Sequence, residues 1–141
     1  MERTYDNRKG DKDMTNKFDF NECGVCVNPN TPINYVDGIN HYTIATCSPV
    51  VDEHVWIYGV SLHCYEQGFA FGGMMNTIHT YETEDKAINH ALRYIKDYLE
   101  RNIKLEKKHH PNSPFIRQAN KMLTDVKKRL FNYMYVQPTL F

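Results

Sequence analysis

From residue 55 to residue 65 the chain alternates with a period of two, and this constrains its fold more than any other feature. Trp56, Tyr58, Val60, Leu62 and Cys64 fall on one parity, and Ile57, Gly59, Ser61 and His63 on the other. Successive side chains of an extended strand point to opposite faces, so the pattern belongs to a strand in a sheet with two unlike faces. Residues 41–47 read as a second strand, with residues 49–53 as the hairpin loop between them. A third strand begins at Gly68 with Phe69 and Phe71 and loosens at Gly72-Gly73, where a glycine pair implies a bulge or a loop. Residues 74–81 either extend it or form a strand of their own. Upstream, residues 18–40 read as irregular, with Pro29, Pro32, clustered asparagines and a turn at Asp37-Gly38. Residues 1–17 carry no apolar periodicity and read as a disordered tail.

The period then changes to that of a helix. Thr83 is the expected N-cap, and Glu84 and Asp85 place negative charge at the positive end of the dipole. Ile88, Ala91, Leu92, Ile95 and Leu99 share one face, widened by Ala87, Tyr94 and Tyr98, enough to cover a sheet and touch a second helix. Residues 104–112 break this pattern. Ser113-Pro114 restarts it as N-cap and first helical residue, followed by a stripe of Ile116, Ala119, Leu123, Val126, Leu130 and Met134. Arg117, Lys121 and Lys128 fall on the opposite side. The expected architecture is α+β: an antiparallel sheet of three or four strands covered on one face by two amphipathic helices.

A chain of 141 residues can bury a real core as one domain. The expected division is a tail over 1–17, a single domain over 18–134 and a C-terminal peptide over 135–141, with no internal repeat. No apolar run approaches the roughly 18 residues that span a bilayer, and the first 17 residues are too polar for a signal peptide. These observations predict a cytoplasmic protein with no membrane partner. The formal charge of zero is unevenly spread: residues 18–100 carry eleven acidic against three basic groups, net −8, and residues 101–141 nine basic against two acidic, net +7. Such asymmetry suits either a nucleic-acid-facing end or two halves of one domain that attract each other. No Ser/His/Asp arrangement, nucleophile elbow or phosphate-binding glycine loop is present, so the expectation is a protein without catalytic residues.

Cys23-Gly24-Val25-Cys26 has the spacing that brings two thiolates to one zinc ion, and Cys47 and Cys64, on candidate neighbouring strands, could complete a four-cysteine site. His63 adjoins Cys64 but should face the other side of the sheet. The alternative holds Cys47 and Cys64 as buried small apolar residues and the first pair as free thiols, with no cofactor.

The sequence closes on Gln137-Pro138-Thr139-Leu140-Phe141. These residues resemble the short motif with which bacterial DNA-processing proteins bind the replication sliding clamp: Gln137 matches its leading glutamine, Thr139 its small polar position, and Leu140 and Phe141 its apolar end. Pro138 departs from the leucine usual at the second position but favours the extended conformation of a docked peptide. The resemblance implies an accessory or inhibitory binding protein with a sliding clamp as partner. Arg117, Lys121, Lys127, Lys128 and Arg129 would add contacts to DNA, and a direct nucleic-acid binder using this helix is an alternative. Another is that residues 136–141 fold back, with Leu140 and Phe141 filling the protein's own core. Two fainter resemblances concern the body. Trp56-Ile57-Tyr58-Gly59, followed by a glycine-containing strand and a helix opening at Thr83-Glu84, is similar to small uncharacterised proteins of phages and conjugative elements. The strand and helix order resembles the later part of a double-stranded-RNA-binding domain, whose basic helix start is replaced here by the acidic Thr83-Glu84-Asp85-Lys86.

Overall fold

A computed structural model describes residues 17–49, 54–73 and 79–136, the last four as backbone only. Residues 1–16, 50–53, 74–78 and 137–141, and with them most of the expected N-terminal tail and the whole clamp-like peptide, lie outside the described residues, as does the side chain of Met134. Four strands, β1 (Asn30–Asp37), β2 (Asn40–Cys47), β3 (Ile57–Cys64) and β4 (Gln67–Phe71), precede two helices, α1 (Glu84–His109) and α2 (Pro114–Val136). The strands pair antiparallel in chain order, and the helices pack on one face of the sheet. The fold is α+β, as expected.

The first strand corrects the reading of residues 18–40 as wholly irregular. Two prolines and repeated asparagines hid it, because proline cannot donate to a ladder. Here β1 is an edge strand, and Pro32 falls where its register with β2 shifts, between Asn30 and Ile33. That is a position at which proline is tolerated. The turn at Asp37-Gly38 forms as expected, with Gly38 at φ 66.

The alternation of β3 sorts its side chains as expected. Val60, Leu62 and Cys64 enter the core with Tyr42 and Ile44 of β2 and Ile33 of β1. His63 lies on the other face, its ring stacked 6.0 Å from that of His41. Trp56 goes elsewhere, into a second cluster with Phe18, Cys26, Cys47, Ile57 and Ala87.

Thr83 caps α1 by accepting from the Lys86 amide at 3.1 Å. The helix does not break at residue 104 but continues to His109, burying Ile103. Residues 104–108 are lysine-, leucine- and glutamate-rich and favour helix, and only the approach to Pro111 ends it. Ser113 accepts from the Phe115 amide at 3.2 Å and opens α2 at Pro114, as read. Ile88, Ala91, Leu92, Ile95 and Leu99 then bury between the sheet and Ala119, Leu123, Val126 and Leu130 of α2; Phe115 and Met122, which the stripe omitted, are fully buried beside them.

Polar ties fix how the helices sit. The Tyr42 hydroxyl donates to Asp125 Oδ2 at 2.6 Å, and Arg129 Nε reaches the same oxygen at 2.8 Å. Asn40 donates to Gln118 Oε1 at 2.6 Å and accepts from the Tyr65 amide at 2.8 Å, joining both hairpin turns to α2. At the other end the fully buried Thr46 donates to Glu84 Oε2 at 2.6 Å, which also accepts from Asn30 Nδ2 at 3.0 Å. Hydrogen bonds to a charged acceptor are the strong ones. Thr46→Val, nearly unchanged in shape, should therefore cost about 2 kcal/mol. Urea denaturation should show this as a lower midpoint at constant m value.

Candidate functional site

Three surfaces carry the residues the sequence singled out: a cysteine-containing corner, the outer face of α2, and the exposed sheet with its aromatic edge.

The corner is built by a short hairpin ahead of β1. Phe20 and Cys26 pair across it; the Asn21 amide donates to Val25 O and the Gly24 amide to Asn21 O, both at 2.9 Å, with Gly24 at φ 80. Asn21 Oδ1 accepts from the Cys23 and Val25 amides at 2.9 and 3.0 Å. This turn leaves Cys23 exposed at its tip and returns Cys26, buried, to the body. There the Cys26 amide donates to Gly73 O at 2.9 Å, Phe18 meets Trp56 edge-on at 5.9 Å, the Cys26 thiol donates to Asn28 Oδ1 at 3.7 Å, and Cys26 and Cys47 are buried in one cluster. Burial, reinforced by the Cys26 contact, pushes the Cys47 thiol well above its ordinary pKa. Cys64 is apart from them. Cys47 pairs with Ile57 at the start of β3 and faces the corner, whereas Cys64 ends β3 inside the helix-covered core, where burial pushes its thiol up to about 11. The four cysteines are thus not brought together as one ligand set. Among the described residues no group of three or more His, Cys, Asp or Glu is placed to hold a metal ion.

On α2, the basic side chains are largely engaged within the molecule. Lys121 Nζ lies 2.9 Å from Asp37 Oδ2, Lys127 Nζ 3.7 Å from Glu100 Oε2, and Arg129 Nε 2.8 Å from Asp125 Oδ2. The hydrogen bond to Asp37 holds the exposed Lys121 ammonium above its ordinary pKa. Arg117 and Lys128 are exposed without such a pair among the described residues. The charge asymmetry therefore joins, in part, two attracting halves of one body.

The sheet face away from the helices is small-featured and uncharged. Thr43, Ala45, Gly59, Ser61 and Ala70 line a shallow trough of about 320 Å³, and no Asp, Glu, Lys or Arg of β1–β4 points to this side. On the helix side, at the β4 edge, Phe69 meets Tyr98 and Tyr94 at 4.7 and 5.6 Å, and Phe71 meets Tyr94 at 5.5 Å, all edge to face. These rings satisfy one another's quadrupoles. Tyr58, between Phe71 and Tyr81, is held un-ionised up to about 12, chiefly by burial and then by its tyrosine neighbours. Phe69 and Phe71 thus belong to a half-buried aromatic seam between β4 and α1.

Gln137, Leu140 and Phe141 lie outside the described residues; the backbone described up to Val136 places their attachment at the end of α2. No helix among the described residues is long and apolar enough to cross a membrane. The Cys26–Cys47 contact was not foreseen: the C-x-x-C spacing drew attention to Cys23, while the partner of Cys26 comes from a strand 21 residues further on. No protein-family model, curated protein or solved structure matches the chain.

Proposed function

We propose that this is a non-catalytic binding protein that docks on a DNA sliding clamp through Gln137, Leu140 and Phe141, as an accessory or inhibitor in DNA replication or repair and of mobile-element origin. The observation that carries the reading is the placement of the motif directly after Val136, the last residue of a helix seated on α1. Among the described side chains of α2, Leu130 is the last one buried in the core, and it anchors the helix against α1. Leucine and phenylalanine fill an apolar pocket and the glutamine amide fixes orientation, the division of labour usual for a bound peptide.

Burying one Leu and one Phe supplies about 3–6 kcal/mol before ordering costs, so the peptide alone binds in the micromolar range or weaker. A second contact would raise occupancy by effective concentration. Arg117 and Lys128 suit that role best, since Lys121, Lys127 and Arg129 already face carboxylates. For the same reason α2 alone is a poor phosphate surface.

The test is capture of a purified bacterial sliding clamp by the intact chain and by the Leu140→Ala/Phe141→Ala variant, with thermal melts of both. Recovery should fall to about a tenth or less with the melt unchanged. Equal recovery, or no capture by the intact chain, ends the proposal. A lowered melting temperature would instead identify the two side chains as part of the protein's own core.

A further inference from the structure

We propose that Cys23, Cys26 and Cys47 form a thiol oxidation site, in which the exposed Cys23 reacts first with a peroxide and the resulting disulfide passes inward to join Cys26 to Cys47. Three observations carry this. Cys23 is exposed at the tip of the hairpin, held by the Asn21 side chain and the Asn21–Gly24 turn. Cys26, three residues on, is buried in the same cluster as Cys47. The backbone fixes this pair independently, because Cys26 donates to Gly73 O at 2.9 Å and a Cβ added to Gly73 would lie 3.1 Å from Cys47 Sγ. Cys26 and Cys47 are buried in the cluster with Phe18 and Trp56, whereas Cys23 faces solvent. Accessibility is thus on one residue, and the protected final product is on the other two.

The chemistry balances with hydrogen peroxide as the oxidant. The Cys23 sulfur attacks one peroxide oxygen, the O–O bond breaks, and a sulfenic acid and one water result. The Cys26 sulfur displaces the sulfenic hydroxyl as a second water, forming the Cys23–Cys26 disulfide. Cys47 then attacks the Cys26 sulfur, its proton passing to the departing Cys23, which is restored as a thiol. In total one peroxide and two thiols become one disulfide and two waters. The product ties the hairpin to β2 and closes a loop from residue 26 to residue 47, which should raise the melting temperature by about 10 °C.

The sequence offers a clean assay. Asp37 is the only aspartate between Cys26 and Cys47, so cleavage at that residue separates them unless a disulfide holds the fragments together. The full chain is treated with hydrogen peroxide, blocked with an alkylating reagent, cleaved at aspartate without reduction and weighed. The expected species is the 26–47 cross-linked pair with Cys23 alkylated. Cys23→Ser should give the same species about tenfold more slowly, and Cys47→Ala should stop at a Cys23–Cys26 disulfide whose fragments separate at Asp37. The wild-type mass map requires no variant to fold. A wild-type product that is Cys23–Cys26 or intermolecular, a rate indifferent to Cys23→Ser, or a purified protein whose thiols are blocked by bound zinc would each overturn the proposal.

Discussion

Gly59→Ala should cost about 3 kcal/mol. A Cβ on Gly59 would sit 2.6 Å from the Phe71 carbonyl oxygen and 2.9 Å from both Gly72 Cα and Gly73 N. All three are backbone atoms, so no side chain can rotate away. The chain leaving β4 crosses low over Gly59 because Gly73 must reach the corner, where its carbonyl accepts from Cys26. An alanine would lift residues 71–73, loosening that hydrogen bond and the packing of Gly73 on Cys47 and Ile57. The comparison that isolates this mechanism is Gly38→Ala. Nothing lies within 4 Å of a Cβ there, but φ is +66, so its cost is the left-handed backbone alone, about 1 kcal/mol. Urea midpoints for the two variants should differ accordingly. Equal or smaller losses for Gly59→Ala would show that the chain does not cross at that point.

This crossing also marks the limit of what could be read from the residues in order. Features set by neighbours in sequence were legible: the parity of β3, Thr83 as a cap, and Ser113-Pro114 as the start of α2. Phe69 and Phe71 read as a strand, and Gly72-Gly73 as its loosening, yet nothing local says that the glycines are there to pass over Gly59. The first strand was missed because Pro32 and the asparagines are turn formers by intrinsic preference, and pairing with β2 overrides that preference. The last turns of α1 were missed because their lysines bury nothing, while Ile103 alone marks the face. The candidate sites divide in the same way. C-x-x-C and the terminal Gln-x-x-Leu-Phe are visible as spacing, whereas the meeting of Cys26 with Cys47 and the pairing of Lys121 with Asp37 bring together residues from different elements. Such partners are chosen by the folded topology, not by periodicity.

Raising the pH from 8 to 11 should remove on the order of 5 kcal/mol of stability, more than any substitution above. Cys47, Cys64 and Tyr42 are buried to within 1% of complete, and each is held neutral by its surroundings. Cys64 is pushed from 9.0 to about 11 by burial, and Cys47 is raised further by burial and by Cys26. Tyr42 is raised above 10.0 by burial and by the Asp125 carboxylate that its hydroxyl must keep a proton to reach. A group whose folded pKa lies above its unfolded value favours the fold in full below the unfolded value, and that advantage is lost as pH rises through the folded one. For these groups the loss begins near pH 9 for the thiols and pH 10 for the phenol, because the unfolded chain releases protons that the folded one retains. Each unit between the two values is worth about 1.4 kcal/mol per group. By pH 11 the thiols have two units each to lose and Tyr42 one. Urea midpoints measured under reducing conditions should therefore stay level up to about pH 8.5 and then fall with steepening slope. In Tyr42→Phe the slope above pH 10 should flatten by one proton, about 1.4 kcal/mol per pH unit, although the variant starts lower for want of the Asp125 hydrogen bond. If phenolate absorbance from Tyr42 develops while the chain is still folded, the hydroxyl is not sealed between β2 and α2, and the packing of the second helix on the sheet must be redrawn.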